Sequence, residues 1–288
     1  VIGHLSSDKT LAAIRMYEAG KLVVISPTAT SVDLSGISDY FFRTAPNDQL
    51  TGKTMATYLL QKRQVQRIAI VYNSGVNYSV SLQKSVADSF VQGGGSVPLL
   101  IDTNAVDFDV NESWQTINRE AIGAIALCTY TNDLEKAIAL IRVNRNQLPM
   151  VTGSPLYLDE VLQESAKQPI TNLMLVLPWH EDSNPSALFP VDSRELWQGA
   201  EITWLTASSF DATQALIRAI QDTPIYNRQP IQQILANPDF VTEGAADETN
   251  FDTNGDRLQP LVLVTIAPSK QSATGYTFIP TETIENRE

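Results

Sequence analysis

Val1-Ile2-Gly3-His4-Leu5-Ser6-Ser7, a helical spacing over residues 8–19, then Leu22-Val23-Val24-Ile25-Ser26-Pro27-Thr28-Ala29-Thr30: this opening decides the fold. Both outer segments are apolar, read as strands, and end in a cluster of hydroxyls. Between them Leu11, Ile14 and Tyr17 recur on one helix face, with Ser7 as the expected N-cap. Strand, helix, strand is the unit of a parallel α/β sheet. Ligands of such sheets bind beyond the carboxyl ends of the strands, where Ser7 and Thr30 fall. A helix N-terminus with free N–H groups beside a hydroxyl suits a carboxylate or another anion. Capping alone explains the same hydroxyls, and spacing leaves the two readings level.

The alternation continues to the end of the chain. Strands are expected over residues 39–43, 67–72, 96–101, 124–128, 148–152, 173–177, 261–267 and 276–279. The run Arg67-Ile68-Ala69-Ile70-Val71-Tyr72 is near-continuously apolar, as a strand covered on both faces requires. Helices are expected from residue 48, over 78–92, 112–120, 132–144 and 158–166, within 202–221, and over 231–235. Gly93-Gly94-Gly95 reads as a helix stop, lacking any phosphate-loop or dinucleotide spacing. Residues 182–192, rich in Pro, Ser and Asn, read as a loop, and 242–250 as a polar, mobile connection. Strands alternating with helices at this spacing define the α/β class with a mostly parallel sheet. Right-handed crossovers then place helices on both faces.

The length, 288 residues, allows two domains, and 43% hydrophobic content fits a globular chain. A net charge of -12 leaves no basic stripe to meet phosphates, which argues against a nucleic-acid partner. Cys128 stands alone inside Ala124-Ile125-Ala126-Leu127-Cys128, where it reads as a small buried hydrophobe. No apolar run reaches membrane-spanning length, so no direct membrane insertion is expected of this segment.

Several blocks, taken together and in order, resemble a known family. They are the opening Val1–Ser7 run, Ile25-Ser26-Pro27-Thr28-Ala29-Thr30, Phe42-Arg43-Thr44-Ala45-Pro46, the 67–72 strand, Tyr78, and Phe251-Asp252-Thr253-Asn254-Gly255-Asp256. The chain is similar to the type I periplasmic solute-binding proteins of ABC importers, in the leucine–isoleucine–valine-binding group. The resemblance implies two Rossmann-like lobes joined by three crossovers, with residues 1–45 plus 177–259 in the first lobe and 46–176 plus 260–288 in the second. Family members carry strands and helices before the point matching Val1, so a missing N-terminal segment is implied. Also implied are a small carboxylate or amino-acid ligand in the interlobe cleft, a membrane permease as partner, a periplasmic or extracytoplasmic location, and neither cofactor nor catalysis.

By that resemblance Ser7, Thr28, Ala29 and Thr30 hold the ligand's carboxylate and part of its ammonium. Tyr78 and Tyr130 face it from the second lobe, Phe210 stands where a tyrosine is usual, and Trp179 lines the cleft or packs the hinge. Asp211 either joins the site or starts its helix. One departure matters. Amino-acid-binding members carry an acidic residue just after the position of Gly153, but this chain reads Gly153-Ser154-Pro155-Leu156-Tyr157. A buried ammonium without a counter-charge is costly. Either Asp211 or Asp159 substitutes, or the ligand lacks an ammonium; the expected ligand is a small carboxylate with an apolar tail, a branched-chain 2-oxo acid ahead of an amino acid.

Catalytic signals are weak. His4 and His180 are the two histidines, and neither sits in a nucleophile or metal motif. Asp252-Thr253-Asn254-Gly255-Asp256 begins like a calcium loop but has Leu263 where the twelfth-position glutamate belongs, so it reads as an Asn-Gly turn. Two rival classes remain: the ligand-sensing extracellular domain of a receptor, and an α/β enzyme.

Overall fold

The computed structural model describes residues 1–184, 188–223 and 227–281. The chain opens on a single β-bridge from Ile2 to Ile25, not on the strand expected over residues 1–7, so His4 lies outside any strand. Side chains take the carbonyls that a ladder would use. Ser26 Oγ donates to His4 O at 3.0 Å, and Thr28 Oγ1 donates to Leu5 O at 2.7 Å. Helix α1 (Ser7–Ala19) follows, and its cap is Ser6, whose Oγ accepts from Lys9 N. Ser7, expected as the cap, is the first helical residue. The short parallel pair β1 (Val24–Ser26) and β2 (Phe41–Arg43) is buried along its whole length.

Next come α2 (Asp48–Thr57), β3 (Arg67–Tyr72), α3 (Asn77–Gln92), β4 (Ser96–Asp102), α4 (Val110–Arg119) and β5 (Ala124–Cys128). They are followed by α5 (Leu134–Asn144), β6 (Met150–Thr152), α6 (Asp159–Lys167) and β7 (Leu173–Leu177). Then α7 (Phe189–Leu196) takes residues 189–192 of the stretch expected to be loop; of that stretch, residues 185–187 lie outside the described residues. Pro190 falls in the first turn of α7, the one place where a helix tolerates it. The chain continues through α8 (Trp204–Gln221) and α9 (Arg228–Leu235). Residues 242–250, expected as a mobile connection, hold the hairpin β8 (Thr242–Glu243) and β9 (Glu248–Thr249), and β10 (Val262–Pro268) and β11 (Tyr276–Pro280) close the fold.

The chain forms two compact units. Unit 1 comprises Val1–Asn47 and Pro178–Pro260; unit 2 comprises Asp48–Leu177 and Leu261–Glu288. In unit 2 the strand order is β11-β10-β7-β6-β5-β3-β4, parallel from β4 to β7 and antiparallel at β10 and β11. One face buries Val71, Leu127, Leu140 and Leu175, the other Ile70, Leu82, Val86 and Phe90. A fully buried aliphatic or aromatic side chain of this kind contributes about 1.5–3 kcal/mol. On the second face α2 and α3 meet backbone to backbone: a Cβ on Gly52 would stand 2.6 Å from the carbonyl carbon of Ser85. Unit 1 packs Ile14, Val24 and Leu34 on one side of its strand pair and Ile25, Phe42, Ala215 and Phe251 on the other.

Candidate functional site

The unit 1 residues singled out in the sequence converge on one loop. Ser7, buried in the first turn of α1, accepts the Ser31 amide proton on its Oγ at 3.1 Å. That bond sets Ser7 beside the turn that follows β1. Thr28 is tied down through its hydroxyl, and the Ala29 amide donates to Ser26 Oγ at 3.0 Å. Thr30 is 7% exposed, and its Oγ1 has no hydrogen-bond partner in the protein. A buried hydroxyl left unpaired costs about 1–3 kcal/mol, so it calls for a reason.

Sequence reasoning missed what holds this loop. Arg43, at the end of β2, is fully buried. Its Nε donates to Asp256 Oδ1 at 2.6 Å, its Nη1 to Ala29 O at 3.2 Å and Ser31 O at 2.7 Å, and its Nη2 to Ser35 Oγ at 2.5 Å. Asp256 also accepts from Ser35 Oγ and from Asn47 Nδ2. Burial alone would raise the Asp256 carboxyl; the bond and charge of Arg43, with Ser35 and Asn47, hold it below its ordinary value. The Asn254-Gly255 turn places this acid: Gly255 has φ +77°, and a Cβ there would lie 2.2 Å from Phe41 O. An arginine inside the apolar triplet Phe41-Phe42-Arg43 was the available signal, since buried charges are paired.

Asp211 is engaged within unit 1. Its Oδ1 accepts the Ala245 amide at 2.6 Å and its Oδ2 pairs with Arg257, both side chains being nearly sealed from water. Burial pushes its carboxyl up, against the pull of Arg257 and the Ala245 amide. Asp211, one of two acids weighed as a counter-charge, thus already has a cationic partner, and it lies inside α8, not at its start. Trp179 is buried and meets Phe189 edge-on at 5.7 Å, while Phe210 lies 4.7 Å from Phe189. Phe210 also lines a cavity of about 740 Å³ between α7, α8 and the β8–β9 hairpin. None of Ser7, Thr28, Ala29 or Thr30 lines that cavity.

In unit 2 the topology picks out one point. Chain order reverses at β3, which has β4 on one side and β5 on the other. Open α/β sheets bind ligands at such a switch point, outside the carboxyl ends of the strands. Tyr78 begins the helix after β3 and Tyr130 follows β5; their rings are 5.5 Å apart. Burial first, then the charge of Asp48, raises the Tyr78 phenol well above its ordinary value, so it stays neutral. A Cβ on Gly153 would lie 2.4 Å from the Tyr78 hydroxyl, which places the turn after β6 in the same cluster. Thr129, just before Tyr130, is buried with an unpartnered Oγ1. Asp159 is exposed in the first turn of α6.

His4 Nε2 and the Tyr17 hydroxyl lie 3.0 Å apart, and the His180 ring accepts the Asp182 amide. Among the described residues no three His, Cys, Asp or Glu side chains gather as a metal site, and no helix is long and apolar enough to cross a membrane.

A mostly parallel α/β sheet with polar loops at its strand ends is a frame on which ligand sites are commonly built. The profile of the periplasmic binding protein family matches residues 1–270, and the chain belongs to that family. It is 31% identical over 145 residues to the leucine-specific-binding protein of Salmonella typhimurium, covering 50% of this chain and 39% of that protein. It is 26% identical over 229 residues to the Leu/Ile/Val-binding protein of Escherichia coli, covering 77% of this chain and 61% of that one. The chain thus spans between about two fifths and three fifths of these relatives' lengths. The fold matches a leucine-binding protein of Thermotoga maritima with TM-score 0.80 at 21% identity, over 96% of this chain and 78% of the other.

Proposed function

We propose that the chain is the solute-binding component of an ABC importer. Its ligand is a small carboxylic acid with an apolar, branched tail, first of all an amino acid of the leucine, isoleucine and valine kind. Family membership and the names of the relatives support this reading. The observation that carries it is the pairing of Ser7 Oγ with the Ser31 amide, beside the buried, unpartnered hydroxyl of Thr30. A serine hydroxyl that accepts one proton still has its own to donate. Ser7 and Thr30 together therefore offer two donors to a carboxylate at the N-terminus of α1, where the helix field favours an anion. Thr28 and Ala29 frame that loop in unit 1; in unit 2 the paired rings of Tyr78 and Tyr130, with the Tyr78 phenol neutral, are suited to an apolar group. Trp179 and Phe210 pack against Phe189 in an aromatic cluster of unit 1. The chain works outside the cytoplasm and delivers to a membrane permease; it is not an enzyme.

A second reading, a branched-chain 2-oxo acid, has its own support. Asp211 is committed to Arg257, Asp159 is exposed, and the turn after β6 carries no acid. An ammonium would then find neither of these two acids as its counter-charge. Calorimetric titration with isoleucine and with 3-methyl-2-oxopentanoate separates the two. Binding of isoleucine alone supports the first reading and rejects the second; binding of the oxo acid alone does the reverse. Binding of neither contradicts the ligand class.

A further inference from the structure

We propose that Arg43 is a positioning residue for the acid-binding loop, setting the direction in which Thr30 presents its amide. The inference rests on the reading of Thr30 as a ligand contact. The guanidinium takes the carbonyls on both sides of Thr30, Ala29 O and Ser31 O, on a single nitrogen. A peptide unit is planar and trans. With Ala29 O turned toward Arg43, the Thr30 N–H of the same plane points the opposite way. The donor that a carboxylate needs is thus aimed by a cation that lies behind the loop and need not touch the ligand.

The arrangement has the marks of a fixed aim. Arg43 has no exposure, and Asp256, its partner at 2.6 Å, is also buried. The neutralised pair is suited to orientation more than to attracting anions. Ser35 Oγ closes the ring, accepting from Arg43 Nη2 and donating to Asp256 Oδ2 at 2.6 Å. Asn47, the last residue of the first segment of unit 1, donates to the same oxygen at 2.8 Å. Loop direction and the end of that segment therefore share one acid. A lysine would keep the charge on Asp256 but has no planar fork to reach two carbonyls, a carboxylate and a hydroxyl together.

The test is Arg43→Lys in the whole chain, read by hydrogen exchange of the peptide containing residues 28–31 and by calorimetry with isoleucine and 3-methyl-2-oxopentanoate. The expected result is a tenfold or greater rise in exchange at residues 29–31, unchanged exchange in the β3–α3 region, and at least a tenfold loss of affinity for whichever acid the parent chain binds. Full rescue of both readouts by lysine overturns the proposal, because charge neutralisation then suffices. Faster exchange with unchanged affinity overturns it as well. Ser35→Ala, which removes one acceptor and keeps the ion pair, carries the same test with a smaller rise if Arg43→Lys does not fold. A parent chain that binds neither acid defeats the ligand reading of Thr30, while the exchange readout still decides whether Arg43 holds the loop.

Discussion

Thr30 is a residue whose place in the fold works against stability. Its hydroxyl is buried without a partner in the protein, and such groups persist where function keeps them. Thr30→Val removes the hydroxyl at nearly constant volume. Thermal or urea unfolding is expected to show equal or higher stability, by up to about 1–3 kcal/mol. Affinity for the acid is expected to fall at least tenfold, and a stabilised variant with unchanged affinity would sever the hydroxyl from binding. At this scale the sequence was partly legible. Ser7 and the 28–30 run stand out as hydroxyls at a strand end, and the structure joins them through the Ser31 amide. Asp211 was legible only as an acid near a helix start, because its partner Arg257 lies 46 residues away. Arg43 and Asp256 are 213 residues apart, and no local pattern links them.

Secondary elements read best where one physical signal acted alone. The strands 67–72, 124–128 and 173–177 are bounded as their unbroken apolar runs suggest, because strands covered on both faces leave no polar position to blur the ends. Residues 1–7 failed because hydroxyls from 26 and 28 capture the carbonyls of His4 and Leu5. Helix α7 was missed because Pro190 reads as a breaker unless it falls in a first turn. Gly52 sets the spacing of α2 on α3, so Gly52→Ala should force the helices apart and cost about 1–3 kcal/mol in urea unfolding. Between α5 and α6, Arg142 bonds both oxygens of Glu164 at 2.7 and 2.9 Å, and Lys167 adds a third contact. Arg142 first, then Lys167, hold the Glu164 carboxyl below its ordinary value despite burial. A carboxyl depressed in the folded state contributes stability that is fully present above its unfolded pKa of about 4.3 and is lost as pH falls through the lower folded value. Glu164→Gln should therefore flatten the fall of melting temperature below about pH 4. At neutral pH it should cost about 1 kcal/mol, discounted for the half-exposed Arg142. An unchanged acid slope would deny the coupling.

The molecule as a whole carries a net charge of -12, and the proposed ligand carries an acid group. General attraction does not bring the two together, so recognition has to be local: hydroxyls, amides and a helix N-terminus held by buried ion pairs. In each unit the candidate residues stand at strand ends, at the turn after β1 in unit 1 and at the switch point of β3 and β5 in unit 2. The central claim is that the carboxylate is what Ser7 and Thr30 recognise. It is tested most directly by titrating the chain with isoleucine and with isoleucinol, which keeps the ammonium and the branched tail but replaces the carboxylate with a neutral alcohol. The account predicts that isoleucine binds and that isoleucinol binds at least a hundredfold more weakly. Equal affinities would contradict it.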